Sequence, residues 1–443
     1  MKIKSDFLVL LILVLSCNAL LRWSIIPKDD YVSYKTTKPI LSTSQSMVYE
    51  WNRTWGSVSF DYGTGVILDS LSNIYLAGFT NSFGEGSTDM ALVNYNSNGI
   101  QQWNLTWGGS NSETCYGLAR DSVENIYLSG STFSFGSGSS DIALVKYNNL
   151  GVQQWNHSWG GSDWEDSSGV DVDSLDNVYV TGTTMSFGIG NFDLVLVKYD
   201  DSGIQQWNRT WGGTNDDFGL GVVVDSSDNV YVAGSTNSFG SGSSDIVLVK
   251  YNSLGVQQWN QTWGGIDSEY AYRVIVDKTD NLYLIGATSS FGEGADDVIL
   301  IKYDKFGEQQ WNRTWGRSDI DKCYGVALDS SDNIYLTGYT KIGENSPDIF
   351  LLKYDRTGVL QWNLTKGGIL RDESWDIAID SLDNIYLAGC TENSGKGLSD
   401  MILIKFSKIS EKDSTQILGF NLIIIIGLIS TSVIILVKKK FKQ

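Results

Sequence analysis

Seven carboxylates recur at one place in a repeated sequence, and their type and spacing make them the first candidates for chemistry. Asp61, Glu113, Glu165, Asp217, Glu269, Asp321 and Asp372 each follow a tryptophan by six residues, or follow Lys366 in the final copy. Carboxylates are hard oxygen ligands, so a ring of them facing one opening could hold a cation, calcium above all, or a basic ligand. The other reading is local: each side chain accepts backbone N–H bonds within its own turn. The same chemistry in every copy favours the local role, because binding sites usually break symmetry.

A second set is a ladder of Asn-x-Ser/Thr sequons at Asn52, Asn104, Asn156, Asn208, Asn260, Asn312 and Asn363. Asn and Thr two apart on a strand share the face opposite the flanking tryptophans, so a solvent-facing rim could carry glycans in register. Alternatively the Thr favours β structure and bonds the Asn. A third pattern, as in Asp225-Ser-Ser-Asp-Asn229, lacks the alternating Asp-x-Asp-x-Asp-Gly spacing of a calcium loop and reads as turn chemistry.

Catalysis has little to stand on. His157 is the only histidine, and there is no Gly-x-Ser-x-Gly elbow and no phosphate loop. No Cys/His metal spacing exists. Cys17 lies near the N-terminus, and Cys115, Cys323 and Cys390 are widely spaced, which suits core packing rather than a disulfide framework. A carbohydrate-active enzyme needs only two carboxylates, and the sequence singles out no pair. The leading expectation is therefore a non-catalytic binding, adhesion or scaffold module for a protein, glycan or envelope ligand. The alternative is a carbohydrate-active enzyme with its carboxylates in one asymmetric pocket. Symmetry discriminates the two, because an enzyme should break the repeat on one side of the channel, and the visible breaks are Lys366, Arg317 and the loop around Pro347.

The elements that carry these residues follow from the period. Trp-Asn recurs at Trp51, Trp103, Trp155, Trp207, Trp259, Trp311 and Trp362, with steps of 52 residues and a last step of 51. Each unit holds four strand-like pieces; in the second they are 115–121, 125–130, 141–147 and 152–159. Gly, Asn and Asp separate them as tight hairpins require. Four antiparallel strands in about 50 residues make one propeller blade. The first strand of the chain is the Trp-bearing type and the last, Asp400 to Phe406, is the third type. The expectation is thus an all-β, seven-bladed β-propeller spanning 45–406, its ring closed by the N-terminal strand, which hides both sheet edges.

Gly108-Gly-Ser-Asn-Ser-Glu113, Gly221-Val-Val-Val-Asp-Ser-Ser-Asp-Asn-Val-Tyr-Val-Ala-Gly234 and their copies resemble the SBBP-type β-propeller repeats of bacterial and archaeal surface proteins. The resemblance spans all seven units. It implies a secreted or surface-displayed propeller, and adds no catalytic residues because that family has no uniform activity. Asp355–Trp362 is more weakly similar to quinone-binding propeller repeats, whose cofactor residues are not found here. No cofactor is expected beyond the calcium that the acidic ring could take.

The ends read as membrane signals. Lys2 and Lys4 precede an apolar run from Phe7 to Leu15 and small residues to Ala19, so 1–19 is a signal peptide or N-terminal anchor. Lipidation at Cys17 is a poorer fit because Leu15 is bulky. Ile417 to Val437 is free of charge and, as a helix, about 31 Å long, which matches a hydrocarbon core. Lys438, Lys439, Lys440 and Lys442 follow, so 438–443 is a cytoplasmic tail by the positive-inside rule. Residues 20–44 and 407–416 are linkers. This places a single-pass protein in the cell membrane, a monomeric propeller outside. Between Gln45 and Phe406 there are 20 Lys+Arg against 46 Asp+Glu, a net of −26. Such a surface repels nucleic acid and attracts cations and basic partners, or serves solvation in a salty habitat.

Overall fold

The computed structural model describes residues 47–317, 319–341 and 346–408. They form 28 strands, from β1 (Met47–Trp55) to β28 (Asp400–Lys408), arranged as seven antiparallel four-stranded sheets. Blade 1 is β2 (Asp61–Leu68), β3 (Ile74–Thr80), β4 (Asp89–Tyr95) and β5 (Gln101–Trp107), from the centre outward. Blades 2 to 6 repeat that order. Blade 7 consists of β26 (Asp372–Ile379), β27 (Ile385–Thr391), β28 and, as its outermost strand, β1. Met47 pairs with Lys408 and Trp55 with Met401, so the N-terminal strand closes the ring as the strand count requires.

β28 continues its ladder with β1 to Lys408, two residues beyond Phe406. The leader 1–19, the linker 20–44, the apolar run 417–437 and the tail 438–443 lie outside the described residues. Among the described residues no helix is long and apolar enough to cross a membrane.

The blades cohere through the faces of their two middle strands. In blade 2 every residue of Ile126–Thr132 and Asp141–Tyr147 is buried, since each strand is sandwiched between neighbouring sheets. Apolar clusters therefore join adjacent blades: Tyr231 and Ile246 of blade 4 pack with Leu284 and Ile301 of blade 5. The outermost strands alternate instead, with Trp103 or Trp155 set inward and their neighbours out. Cys115, Cys323 and Cys390 are free and buried, and for Cys115 and Cys323 that is the packing role expected of them. Burial pushes the Cys115 and Cys390 thiols up to about 12, which makes them poor nucleophiles.

The Asp-x-x-Asp-Asn motif is the turn between the first two strands of a blade. Asp225 accepts from Ser227 N and Asn229 N at 2.9 Å each, and from the Tyr231 hydroxyl at 2.9 Å. Burial pulls its carboxyl up, but those donors outweigh it and leave it below the usual range. Asp228 holds φ 59°, a left-handed conformation that Asp tolerates, and its carboxylate accepts from Ser174 N of the preceding blade at 3.1 Å.

Candidate functional site

The innermost strand of each blade carries a β-bulge at the same point, and the bulge builds the channel wall. In β2 the register skips between Gly63 and Gly65, leaving Thr64 without a ladder partner. The same skip frees Tyr116 in β6 (Glu113–Arg120), Ser168 in β10 (Glu165–Val172) and Leu220 in β14 (Asp217–Val224). It frees Tyr272 in β18 (Glu269–Val276), Tyr324 in β22 (Asp321–Leu328) and Trp375 in β26. A bulge turns an extra side chain out of the pleat, and here it turns each toward the axis. The two columns that follow inward behave differently. Six strands place Val or Leu two residues after the bulge, and β26 places Ile377. The bulge column itself holds Thr, Tyr, Ser, Leu and Trp. Variation concentrated in the bulge column and its channel-facing neighbours, inside a chain that otherwise repeats, marks a surface adapted to something asymmetric.

A cavity of about 280 Å³ opens among these side chains, bounded by Tyr116, Asp166, Tyr272, Arg273, Tyr324 and Trp375. Three consecutive blades supply a continuous aromatic wall. Tyr272 and Tyr324 lie 4.8 Å apart at 34°, and Tyr324 stacks on Trp375 at 4.8 Å and 14°. The charges around it are mostly paired. Arg273 stands where five of the seven strands have glycine, and it reaches Asp376 at 3.2 Å, two blades away. Asp376 also accepts from Val66 N at 3.0 Å; burial pushes its carboxyl up and Arg273 pulls it back. Higher in the channel Lys322 meets Asp296 at 3.2 Å, and Arg371 meets Glu373 at 2.7 Å. Asp166 has no cation partner among the described residues, and its Oδ1 is buried without a hydrogen bond, as is Trp375 Nε1. Burial raises the Asp166 carboxyl, against the pull of the Ser131 hydroxyl and Ser167 N–H.

The seven repeated carboxylates sit one step above this wall, at the first residue of each innermost strand. Six are 0% exposed and Asp372 is 6% exposed. None borders the channel cavities. Glu113 accepts from Gly109 N at 2.7 Å, the Thr132 hydroxyl at 2.9 Å and Ser134 N at 3.1 Å, tying together the two loops at that end of blade 2. At two of the Asp positions the missing methylene is made up by serine: the Ser82 and Ser238 hydroxyls, not their N–H groups, reach Asp61 and Asp217 at 2.7 Å each, while at Asp372 the Asn393 side chain donates instead. Each carboxylate also faces a second buried one from the preceding blade. A Cβ at Gly108 would collide with both Asp89 and Glu113, so only glycine fits there, and glycine occupies that place in all seven copies. Among the described residues no three His, Cys, Asp or Glu side chains are grouped to hold a metal.

These buried pairs predict the pH profile. Burial, reinforced by the facing carboxylate of the next blade, raises Asp89, Asp193, Asp245, Asp297 and Asp348. Asp171, in the channel, is pushed by burial to about 6. An acid raised on folding binds its proton more tightly in the native state. Its contribution is present below its unfolded pKa, about 3.9, and is lost as pH climbs through the folded value. Asp225, Asp329 and the other acids held low act in the opposite sense below that pH. The melting temperature should therefore peak near pH 4 and fall toward pH 7, and Asp171→Asn should flatten the fall around pH 6. A melting temperature that rises steadily from pH 4 to 7 would contradict the pairing.

The other candidates lie on the periphery. The sequon asparagines are on the outermost strands, and all but the half-buried Asn52 are exposed. Lys366 sits at the outer edge, its ammonium 4.5 Å from the Tyr49 ring centroid, and Arg317 donates its backbone N–H to Asp321 at 2.8 Å. In five copies a tryptophan packs at a tilt on a loop phenylalanine, as Trp107 does on Phe135 at 5.1 Å and 43°. Lys366 and Ser394 replace such a pair and leave a cavity of about 190 Å³. The repeat breaks that face the channel are Asp166, Asp171, Arg273 and Asp376. A column-by-column comparison of the seven copies would have found Arg273 and Asp376 in a column of glycines.

The family model for the SBBP β-propeller repeat matches residues 206–240 and 309–343, each running from an outermost strand through the first hairpin of the next blade. The regulatory protein FlaEY of Caulobacter vibrioides is 30% identical over 170 residues, covering 33% of this chain and 18% of that protein. An uncharacterised WD repeat-containing protein of Acanthamoeba polyphaga mimivirus is 24% identical over 232 residues, covering 37% of this chain and 16% of that one. The chain thus spans less than a fifth of the length of these curated relatives. A structure of YCF48 bound to D1 peptide has a TM-score of 0.47 at 11% identity, over 84% of this chain and 99% of that one.

Proposed function

The chain is an SBBP-type β-propeller repeat protein, and we propose that it is a membrane-anchored, surface-displayed binding module whose ligand enters the channel beside the aromatic wall. The observation that carries this reading is the break in symmetry. Seven near-identical blades differ where their bulges face the channel, and there they assemble a cavity with two unpartnered polar atoms.

The direction of the chain supports display. Met47 pairs with Lys408 at the same end of blade 7 as the hairpin after Ile379, so both chain exits share one face. The cavity lies toward the other end of the innermost strands. Exposed Leu71, Leu175 and Leu382, each at least 75% accessible, crown the exit face. Only residues 409–416 separate Lys408 from the apolar run at Ile417, a reach of at most about 29 Å when fully extended. An anchor there holds the exit face toward the bilayer and turns the cavity outward. Protein is the favoured ligand class, and the exposed sequons would then carry glycans on the propeller's own rim.

Purified full chain should select ligands from peptide and glycan arrays, and intact cells bearing the chain should capture a labelled hit until external protease removes the propeller. Tyr324→Ala or Trp375→Ala should weaken capture roughly tenfold or more, the scale of losing a buried aromatic contact. Gln258→Ala, on an outermost strand, should leave it unchanged. Capture indifferent to both channel substitutions would overturn the reading.

A further inference from the structure

We propose that the channel cavity takes a primary ammonium or guanidinium group, presented as a Lys or Arg side chain of a partner protein, against Asp166 and the Tyr272–Tyr324–Trp375 wall. The inference rests on the cavity being the binding site and names what it binds.

The charge ledger of the channel carries it. Arg273 is answered by Asp376, Lys322 by Asp296 and Arg371 by Glu373, all at 3.2 Å or less. Asp166 and Asp171 have no cation among the described residues, but Asp171 accepts from Val224 N at 2.8 Å, whereas Asp166 borders the aromatic cavity and one of its oxygens is buried with no hydrogen bond at all. A carboxylate oxygen buried without a hydrogen bond is costly, and such a cost persists where a ligand relieves it. The surroundings select the kind of cation. Aromatic faces attract ammonium and guanidinium groups once water is excluded, and three consecutive blades supply three such rings in contact. A bare metal ion would want several oxygen ligands, and no three-residue group of that kind exists among the described residues. The volume of about 280 Å³ admits one long side chain rather than a folded domain. The net charge of −26 from Gln45 to Phe406 draws basic segments toward the propeller from every side.

That long-range attraction also sets the control. Non-specific binding to an acidic surface depends on the total charge, which Asp166→Asn changes by one unit in 26. Binding in the cavity depends on that one carboxylate.

The test uses calorimetric titration of the purified full chain with acetylated trilysine and triarginine amides, with the neutral trinorleucine amide and methyl glycosides as comparisons. The cationic peptides should bind, the norleucine peptide should not, and Asp166→Asn should weaken binding roughly 10- to 100-fold, the worth of a charge-assisted hydrogen bond. The same substitution should raise the melting temperature of the free protein, because it removes an uncompensated buried charge. A residue that merely supported the fold would lower both. Cationic binding that falls by less than twofold in Asp166→Asn is surface attraction and overturns the inference. Glycosides that bind while the cations do not would overturn it too, yet leave the cavity as the site. If no probe binds and the array hits ignore Tyr324→Ala, both readings fall together.

Discussion

Deleting Met47–Trp55 should abolish cooperative unfolding of the propeller, the largest effect expected of any change outside the core. This strand is the only one in its blade that comes from the other end of the chain. It covers the edge of β28 along its whole length, from Lys408 to Met401. Trp55 is only 8% exposed within the cluster that joins blades 7 and 1, Trp51 meets Tyr386 at 6.4 Å, and Met47 packs on the cluster that joins blades 6 and 7. Burying a large apolar side chain contributes about 1.5–3 kcal/mol. Three such residues with a strand's worth of hydrogen bonds rival the 5–15 kcal/mol that typically separates folded from unfolded domains. Point substitution should already register: Trp55→Ala should cost about 3–5 kcal/mol in denaturant unfolding.

A rescue separates loss of closure from loss of mere bulk. Met47 faces Lys408 across the ladder, so a short hairpin turn inserted after Lys408 and followed by a copy of Met47–Trp55 rebuilds blade 7 from one side, as every other blade is built. The rescued chain should recover a sharp transition. A deletion mutant that melts as cooperatively as the wild type, with no rescue needed, would show that the ring does not depend on its clasp.

That clasp was legible in the sequence because it is a counting argument. Seven tryptophan strands and seven strands of the third type close only if the first joins the last. Strand limits were less legible. The second unit reads as beginning at Cys115, its first apolar residue, yet the strand starts at Glu113, which is buried and pairs with Thr132. The channel site escaped for a physical reason. A bulge breaks the period of two, so alternation along Glu113–Arg120 does not reveal which side chain turns to the axis. Lys366, Arg317 and Pro347 interrupt prominent motifs and draw the eye, but they sit at the rim. Tyr324 and Trp375 interrupt nothing, since their column holds five residue types across the seven copies. The pairing of Arg273 with Asp376 spans two blades and 103 residues, and only the closed ring brings it about.

The seven repeated carboxylates give the second large effect, and their surroundings set its sign. Glu269 accepts from Gly265 N at 2.7 Å, the Thr288 hydroxyl at 3.0 Å and Ser290 N at 3.0 Å, with no exposure to solvent. Glu269→Ala strands one buried and two half-buried donors. Each unsatisfied buried group costs about 1–3 kcal/mol, so the substitution should destabilise by about 3 kcal/mol or more. Glu113→Ala should do the same, and the double variant should show the sum, because blades 2 and 5 share no partner. The serine device predicts the exception. In Glu113→Asp the shortened side chain can be met by the Ser134 hydroxyl, as Ser82 and Ser238 meet Asp61 and Asp217. That change should cost less than about 1 kcal/mol, whereas combining it with Ser134→Ala should restore most of the loss seen with alanine. Calcium should leave every one of these midpoints where it was. If the carboxylates instead met at a common opening, calcium would raise the wild-type melting temperature by mass action and the alanine variants would blunt that rise. Urea unfolding of the wild type and the five variants, with and without calcium, separates the two arrangements. Independent caps give additive losses, a serine-dependent aspartate rescue and no calcium response, because each carboxylate spends its acceptors on the loops of its own blade.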